Sequence, residues 1–213
     1  MGVSRLIVPV LSVFALSASF ALTVNAQPAS ESGKGAWKFV KTTKDGIEIS
    51  RRAGRTSGYY EYKFVAESPV GPEQLEQFVW SSFQTAEKPV KKRTFLVNKS
   101  DEVVFHDLIS VPVVSNREYT MRIVRKKDQE SRRFEFRTAP ELGPPQTPDY
   151  VTMAIVFGCW EIRPGEDGGS KVTYTVYSEP GGSVTPLIVR GPQLKEATSD
   201  FRRTLKDAKK AVK

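Results

Sequence analysis

Between Trp37 and Ser178 the chain reads almost entirely as strands, and only after Pro192 does the pattern change to a sustained helical period. Tyr60, Tyr62, Phe64 and Ala66 alternate with Tyr59, Glu61 and Lys63, which predicts a strand with one buried and one wet face. Leu194, Ala197, Phe201, Leu205, Ala208 and Val212 recur every three or four residues with Lys, Asp and Glu between them, so Pro192–Val212 is predicted to be an amphipathic helix. Lys206, Lys209, Lys210 and Lys213 place positive charge where the helix dipole favours it. A long terminal helix after many strands has to bury its apolar stripe on one face of a curved antiparallel sheet. The fold class is therefore α+β.

The remaining elements follow from punctuation. Trp37–Thr43 and Gly46–Arg52 flank the turn signal Lys44-Asp45-Gly46 and predict a hairpin. Pro72–Ser82 interrupts the strands, with Leu75, Phe78, Val79 and Ser82 at helical spacing and Pro72 in a first-turn position, and predicts a short helix. Strands resume at Arg93–Asn98, Glu102–Ser110, Glu118–Arg125, Arg132–Thr138, Thr152–Arg163 and Lys171–Ser178. Most of their separators are short, which implies antiparallel neighbours.

The beginning of the chain bears on compartment. Residues 2–26 carry one charge at Arg5, an apolar run from Leu6 to Leu22 and small residues at Val24 and Ala26, the layout of a secretory signal cleaved after Ala26. Pro9 and the Ser and Thr residues within the run favour cleavage over a retained membrane anchor. Residues 27–35 (QPASESGKG) have the composition of a flexible leader, and 36–213 the composition of one domain. The expected location is the periplasm or the medium.

Composition removes many chemistries. With one cysteine, Cys159, and one histidine, His106, neither an intramolecular disulfide nor a Cys/His metal site is expected, and no cofactor is implied. His106 and Asp107 are adjacent on a strand and point to opposite faces, so they do not form a catalytic pair with each other. Cys159 lies between Phe157 and Trp160 with no cation beside it in sequence, as a buried structural cysteine does. Gly181-Gly182 lacks the Lys-Ser/Thr that a phosphate-cradling loop requires. No catalytic residue is assigned.

Without Arg5 the mature chain has 31 Lys+Arg against 24 Asp+Glu, a net charge of +7. Its basic clusters, Lys91-Lys92-Arg93, Arg125-Lys126-Lys127 and Arg132-Arg133, fit either a solvated face or transient contact with an anionic membrane surface. Nucleic acid is not an expected partner, because no base-stacking pattern accompanies the charge.

The interior is more informative. Tyr60, Tyr62, Phe64, Tyr119, Phe134, Phe136 and Tyr174 fall on what should be inner strand faces, where a plain core would favour aliphatic residues. Alternation also places Arg117 on the face of Tyr119, Met121 and Ile123. That arginine is either one half of a structural ion pair at a strand end or a polar anchor for a ligand in an apolar cavity.

Val111-Pro112-Val113-Val114-Ser115-Asn116-Arg117-Glu118-Tyr119 resembles the P-x-x-S-N-R-D-Y segment of START domains, the steroidogenic-acute-regulatory-related lipid-transfer family. Ser170–Tyr174, followed by Glu179-Pro180-Gly181-Gly182 and Pro186, is similar to the strand and D-P-G-G-x-x-P loop of the same family. Trp37, Asp45-Gly46-Ile47 and Trp160 fit its opening strands and a strand tryptophan. Glu118 and Glu179 stand where Asp is commoner, with the charge kept. The resemblance implies a helix-grip fold, in which a curved antiparallel sheet wraps the long C-terminal helix around an internal hydrophobic tunnel for one lipid or sterol-like molecule. Together with the strand parities it nominates Arg117, Tyr62, Phe64, Tyr119, Met121, Phe136, Trp160, Tyr174, Phe201 and Leu205 as ligand-binding residues and Gly181, Gly182 and Pro186 as the gate. The expected protein is a monomeric carrier or sensor that does not convert its ligand. The alternatives are a cyclase or hydrolase on the same scaffold, and an envelope protein with a filled core.

Overall fold

In a computed structural model the described residues are 34–86, 89–110, 116–153, 155–182 and 185–212. The expected signal segment and all but the last two residues of the expected leader lie outside them. Those last two residues, Lys34 and Gly35, already belong to the first strand, β1 (Lys34–Thr42), which pairs with β2 (Glu48–Ala53). Gly46 supplies the positive φ (81°) that this turn needs, and Asp45 accepts the Thr43 hydroxyl at 2.7 Å.

The chain continues through β3 (Tyr60–Ser68) and helix α1 (Pro72–Phe83) to the far edge of the sheet. It returns through β4 (Val90–Asn98), β5 (Glu102–Ile109), β6 (Arg117–Lys127), β7 (Arg132–Thr138), β8 (Val151–Thr152), β9 (Ile155–Pro164) and β10 (Ser170–Glu179). The sheet order is β1-β2-β3-β10-β9-β7-β6-β5-β4, so the last strand closes against the third. Every pair on that path is antiparallel. The expected single strand Thr152–Arg163 is instead two strands with different neighbours. β8 runs parallel to β6 at Arg117 and Glu118, whereas β9 pairs with β7 and β10.

The terminal helix α2 (Pro186–Ala211) begins six residues before Pro192, where the sequence pattern placed its start. Pro186 occupies the first turn, where a missing N–H costs nothing. Pro192 is tolerated inside because Gly191, Pro192 and Ile188 are on the exposed side, so the carbonyl left free at Ile188 can turn to water. Ala197, Phe201 and Ala208 are buried as the periodicity predicts, Leu194 and Leu205 are half-buried, and Val212 is exposed.

Ion pairs fix α1 to the sheet. Glu76, 2 % exposed, accepts Arg125 at 2.9 and 2.6 Å and Arg132 at 3.3 Å, with Lys127 at 3.9 Å. Lys126 and Arg133 pair with Glu135. The basic hairpin is thus largely compensated within the protein, neither a plain solvated face nor a bare cationic patch. Glu61, expected on a wet face, is buried and held bidentate by Arg52 at 2.7 and 2.9 Å. Tyr59, on the same face, packs with Phe157, Tyr177 and Val189 in a second apolar cluster.

Candidate functional site

Strand parity selects the inner face. Val103, Phe105, Asp107 and Ile109 of β5 and Arg117, Tyr119, Met121 and Ile123 of β6 are all buried on it, followed by Phe134 and Phe136 of β7. Beyond these come Trp160 of β9, Tyr174 of β10, Tyr62 and Phe64 of β3 and, across from the sheet, Phe201 and Leu205 of α2.

The structure brings the nominated aromatics into one stack. Trp160 and Tyr174 lie 4.4 Å apart between ring centroids, Trp160 and Phe201 5.4 Å, and Phe64 and Tyr174 5.8 Å. Phe201 and Tyr174 are nearly parallel, at 7°, with Phe136 against Tyr174 and Tyr62 against Phe64 at the margins. Gly158 makes room for this stack, because a Cβ there would stand 2.1 Å from the Thr175 carbonyl oxygen and 2.4 Å from the Phe136 ring. Burial pushes the Tyr174 and Tyr62 hydroxyls above the usual phenol range, so both stay protonated.

Arg117, Tyr119 and Met121 lie outside that stack. The Tyr119 ring meets Phe105 edge-on, and its hydroxyl donates to Asp107 at 2.9 Å. Burial, with Asp107 second, raises the pKa of that hydroxyl well above the phenol range. Asp107 also takes both arms of Arg93, at 2.8 and 2.6 Å. The Arg93 guanidinium lies 3.6 Å from the centre of the Phe105 ring and donates to the carbonyls of Phe83 and Thr85 at the end of α1.

Arg117 is different. Its side chain is buried, its Nε has no hydrogen-bond partner, and among the described residues no carboxylate pairs with it. Burial alone lowers its pKa. It precedes by four residues the point where β7 begins to flank β6, and pairs instead with Ile109 and Val151. The strand directions put this position at the end of the sheet where β9 begins, β10 ends and the chain turns into α2.

That turn contains the nominated gate residues. Gly181 and Gly182 have successive positive φ values of 73° and 66°, a backbone that other residues rarely adopt, and Pro186 then opens α2. The first turns of the helix are latched down. Arg190 donates to the Gly58 carbonyl at 2.5 Å, Gln193 donates to the Ser178 carbonyl at 2.9 Å, and Val189 is buried in the second cluster. Leu187 and Ile188 face outward.

The outer face holds His106. Its Nδ1 is 3.1 Å from the Thr120 hydroxyl and its Nε2 is 3.5 Å from Glu118, and Asp107 points the other way as strand parity requires. Glu118 also accepts the Thr147 N–H and the Thr152 hydroxyl, so this group fastens the 139–152 loop over a cavity of about 220 Å³. Cys159, isolated from cations in sequence, has Arg133 beside it across the sheet; burial nevertheless outweighs that neighbour and pushes the thiol pKa up.

The sequence placed Asp107 opposite His106 and Arg93 in a basic cluster open to solvent or membrane, whereas the two meet inside the protein, and Arg190 and Gln193 were not singled out. Asp107 was within reach, because Val103, Phe105 and Ile109 share its parity and a carboxylate in that series has to find a cation inside. The other three depend on contacts between distant segments and leave no local signal.

Neither a family model nor a curated relative matches the chain. Solved structures do. A STAR-related lipid transfer protein from Xanthomonas axonopodis is similar at a TM-score of 0.68 and 18 % identity, covering 81 % of this chain and 98 % of that one. Human STARD10 is similar at 0.67 and 14 %, covering 82 % and 73 %. The Zhui aromatase/cyclase from a Streptomyces species is more distant, at 0.53 and 12 %, covering 72 % and 95 %. With its ten-stranded curved sheet closed on a long C-terminal helix, the chain has the helix-grip fold of the START domains.

Proposed function

We propose that the protein is an exported carrier or sensor that holds one lipid or sterol-like molecule between the inner face of the sheet and α2 without converting it. The observation that carries this reading is Arg117, a buried arginine whose Nε has no hydrogen-bond partner and which no carboxylate among the described residues pairs, on an otherwise mostly apolar face at the end where α2 is latched. An amphipathic ligand would satisfy it with its head and the apolar face with its tail. The START-type neighbours support the ligand class, and the signal-like segment 1–26 supports release to the periplasm or medium. The net positive charge is compatible with brief contact with an anionic membrane during loading.

Native mass spectrometry of protein purified from its own host tests this in one spectrum. The expected mass is that of a chain beginning at Gln27 plus one non-covalent hydrophobic ligand. An intact Met1–Ala26 segment on membrane-bound protein defeats the export reading, and ligand-free protein from every preparation defeats the carrier reading. Because an aromatase/cyclase shares the fold, ligand supplied to the protein should be recovered with its mass unchanged. A product of different mass would turn the reading into that of an enzyme.

Ligand passage needs the start of α2 to lift about Gly181-Gly182. Arg190→Ala with Gln193→Ala removes hydrogen bonds that hold it down, each worth about 0.5–1.5 kcal/mol. Exchange of a fluorescent lipid between vesicles should accelerate roughly 5- to 150-fold if latch opening limits the rate. An unchanged rate would place the gate elsewhere.

A further inference from the structure

The fate of Arg117 in the empty protein points to the charge of the ligand. Among the described residues it is the only lysine or arginine buried as deeply as 4 % exposed. The buried carboxylates of the elements around the interior face other cations: Asp107 faces Arg93, Glu76 faces Arg125 and Arg132, Glu61 faces Arg52, Asp200 faces Arg203 through its Oδ1, and Asp207 faces Lys210. Asp107 shares the inner face two positions along β5 from Ile109, the cross-strand neighbour of Arg117, yet both of its oxygens face Arg93. Glu118, next in sequence, points to the outer face and fastens the loop there. The Nε of Arg117 is withdrawn from water with no acceptor, and an arginine buried this far is ordinarily paired with an anion.

We infer that the missing counter-charge is the ligand's own, so that the molecule bound here is an anionic amphiphile whose carboxylate or phosphate sits on Arg117. This rests on the reading of the interior as a ligand site and adds the sign of the head group. A sterol or a neutral glyceride would leave the guanidinium uncompensated; an acid would not. The planar fork of an arginine suits either oxyanion. Because α2 starts at the same end of the sheet, the head group would enter last and lie beneath the latch.

Delipidated full-length mature protein decides the matter with two matched pairs of probes: palmitate against hexadecanol, and dipalmitoyl phosphatidate against dipalmitoylglycerol. A charge-assisted hydrogen bond predicts ~10- to 100-fold tighter binding of the acid in at least one pair. The pair that shows it tells free fatty acid from phospholipid. Arg117→Met should reduce the preference to about twofold or less, and Arg117→Lys, which keeps the charge but not the planar fork, should retain part of it. Ligand-free Arg117→Met should melt no lower than the parent, since a buried charge without a partner has been removed.

Equal binding of acid and neutral partner by the parent protein overturns the anionic assignment and leaves the carrier reading standing. An acid preference that survives in Arg117→Met overturns the role of Arg117. Failure of all four probes to bind overturns the carrier reading itself, and the assignment with it. Should Arg117→Met not fold, that already contradicts the expected melting result, and the parent and Arg117→Lys comparisons still report the charge preference.

Discussion

Phe201→Ala is expected to lower the stability of the ligand-free protein by about 3–5 kcal/mol, the usual cost of truncating a fully buried aromatic. The ring is 0 % exposed and meets Phe64, Trp160 and Tyr174, so the space it vacates is walled by other rings that cannot follow it. Against a typical total of about 5–15 kcal/mol for a domain, such a loss should be plain in a urea melt. Leu205→Ala, one turn on, removes a half-buried side chain and should cost distinctly less. Removing Tyr174 as well should cost less than the two single losses together, because the nearly parallel, stacked pair couples by about 0.5–1.5 kcal/mol. A loss below about 1 kcal/mol for Phe201→Ala would mean that the ring borders open space instead of filling it.

Much of this architecture was legible because local pattern and tertiary role agree. Alternation in 60–66 placed Tyr62, Phe64 and Ala66 inside, and the three- and four-residue spacing of Ala197, Phe201 and Ala208 identified the face of α2 that meets the sheet. Local rules failed where a distant contact outweighs them. Pro192 looked like a helix start because proline opens helices, yet Val189 buried against Tyr177 and Arg190 tied to Gly58 stabilise two further turns ahead of it. Glu61 and Tyr59 looked wet because they alternate with the aromatic face of β3, but Arg52 covers one and Phe157 the other. For the site, parity found Arg117 but not whether it was paired. That depends on Asp107 choosing Arg93, which no spacing encodes.

Asp107→Ala should be the most disruptive change to a polar side chain on the inner face. The Asp107 side chain is 0 % exposed and Arg93 8 %, so removing the carboxylate strands a guanidinium that reaches water poorly, and breaking such a pair costs about 3–5 kcal/mol. Arg93 would keep the carbonyls of Phe83 and Thr85 and the face of Phe105, which limits but does not cancel the loss. Tyr119 would lose its acceptor as well, leaving a second buried group unsatisfied. Arg93→Met should be comparably costly, since it strands the carboxylate and frees the end of α1. Replacing both partners by apolar residues, Arg93→Met with Asp107→Leu, should recover much of the loss, because two mutually compensating charges have then left the interior together. Additive losses in the double variant, measured by denaturant melts of all four proteins, would show that Arg93 and Asp107 stabilise the fold independently. The pull of Arg93 on Asp107 would then no longer account for Arg117 being left without a carboxylate.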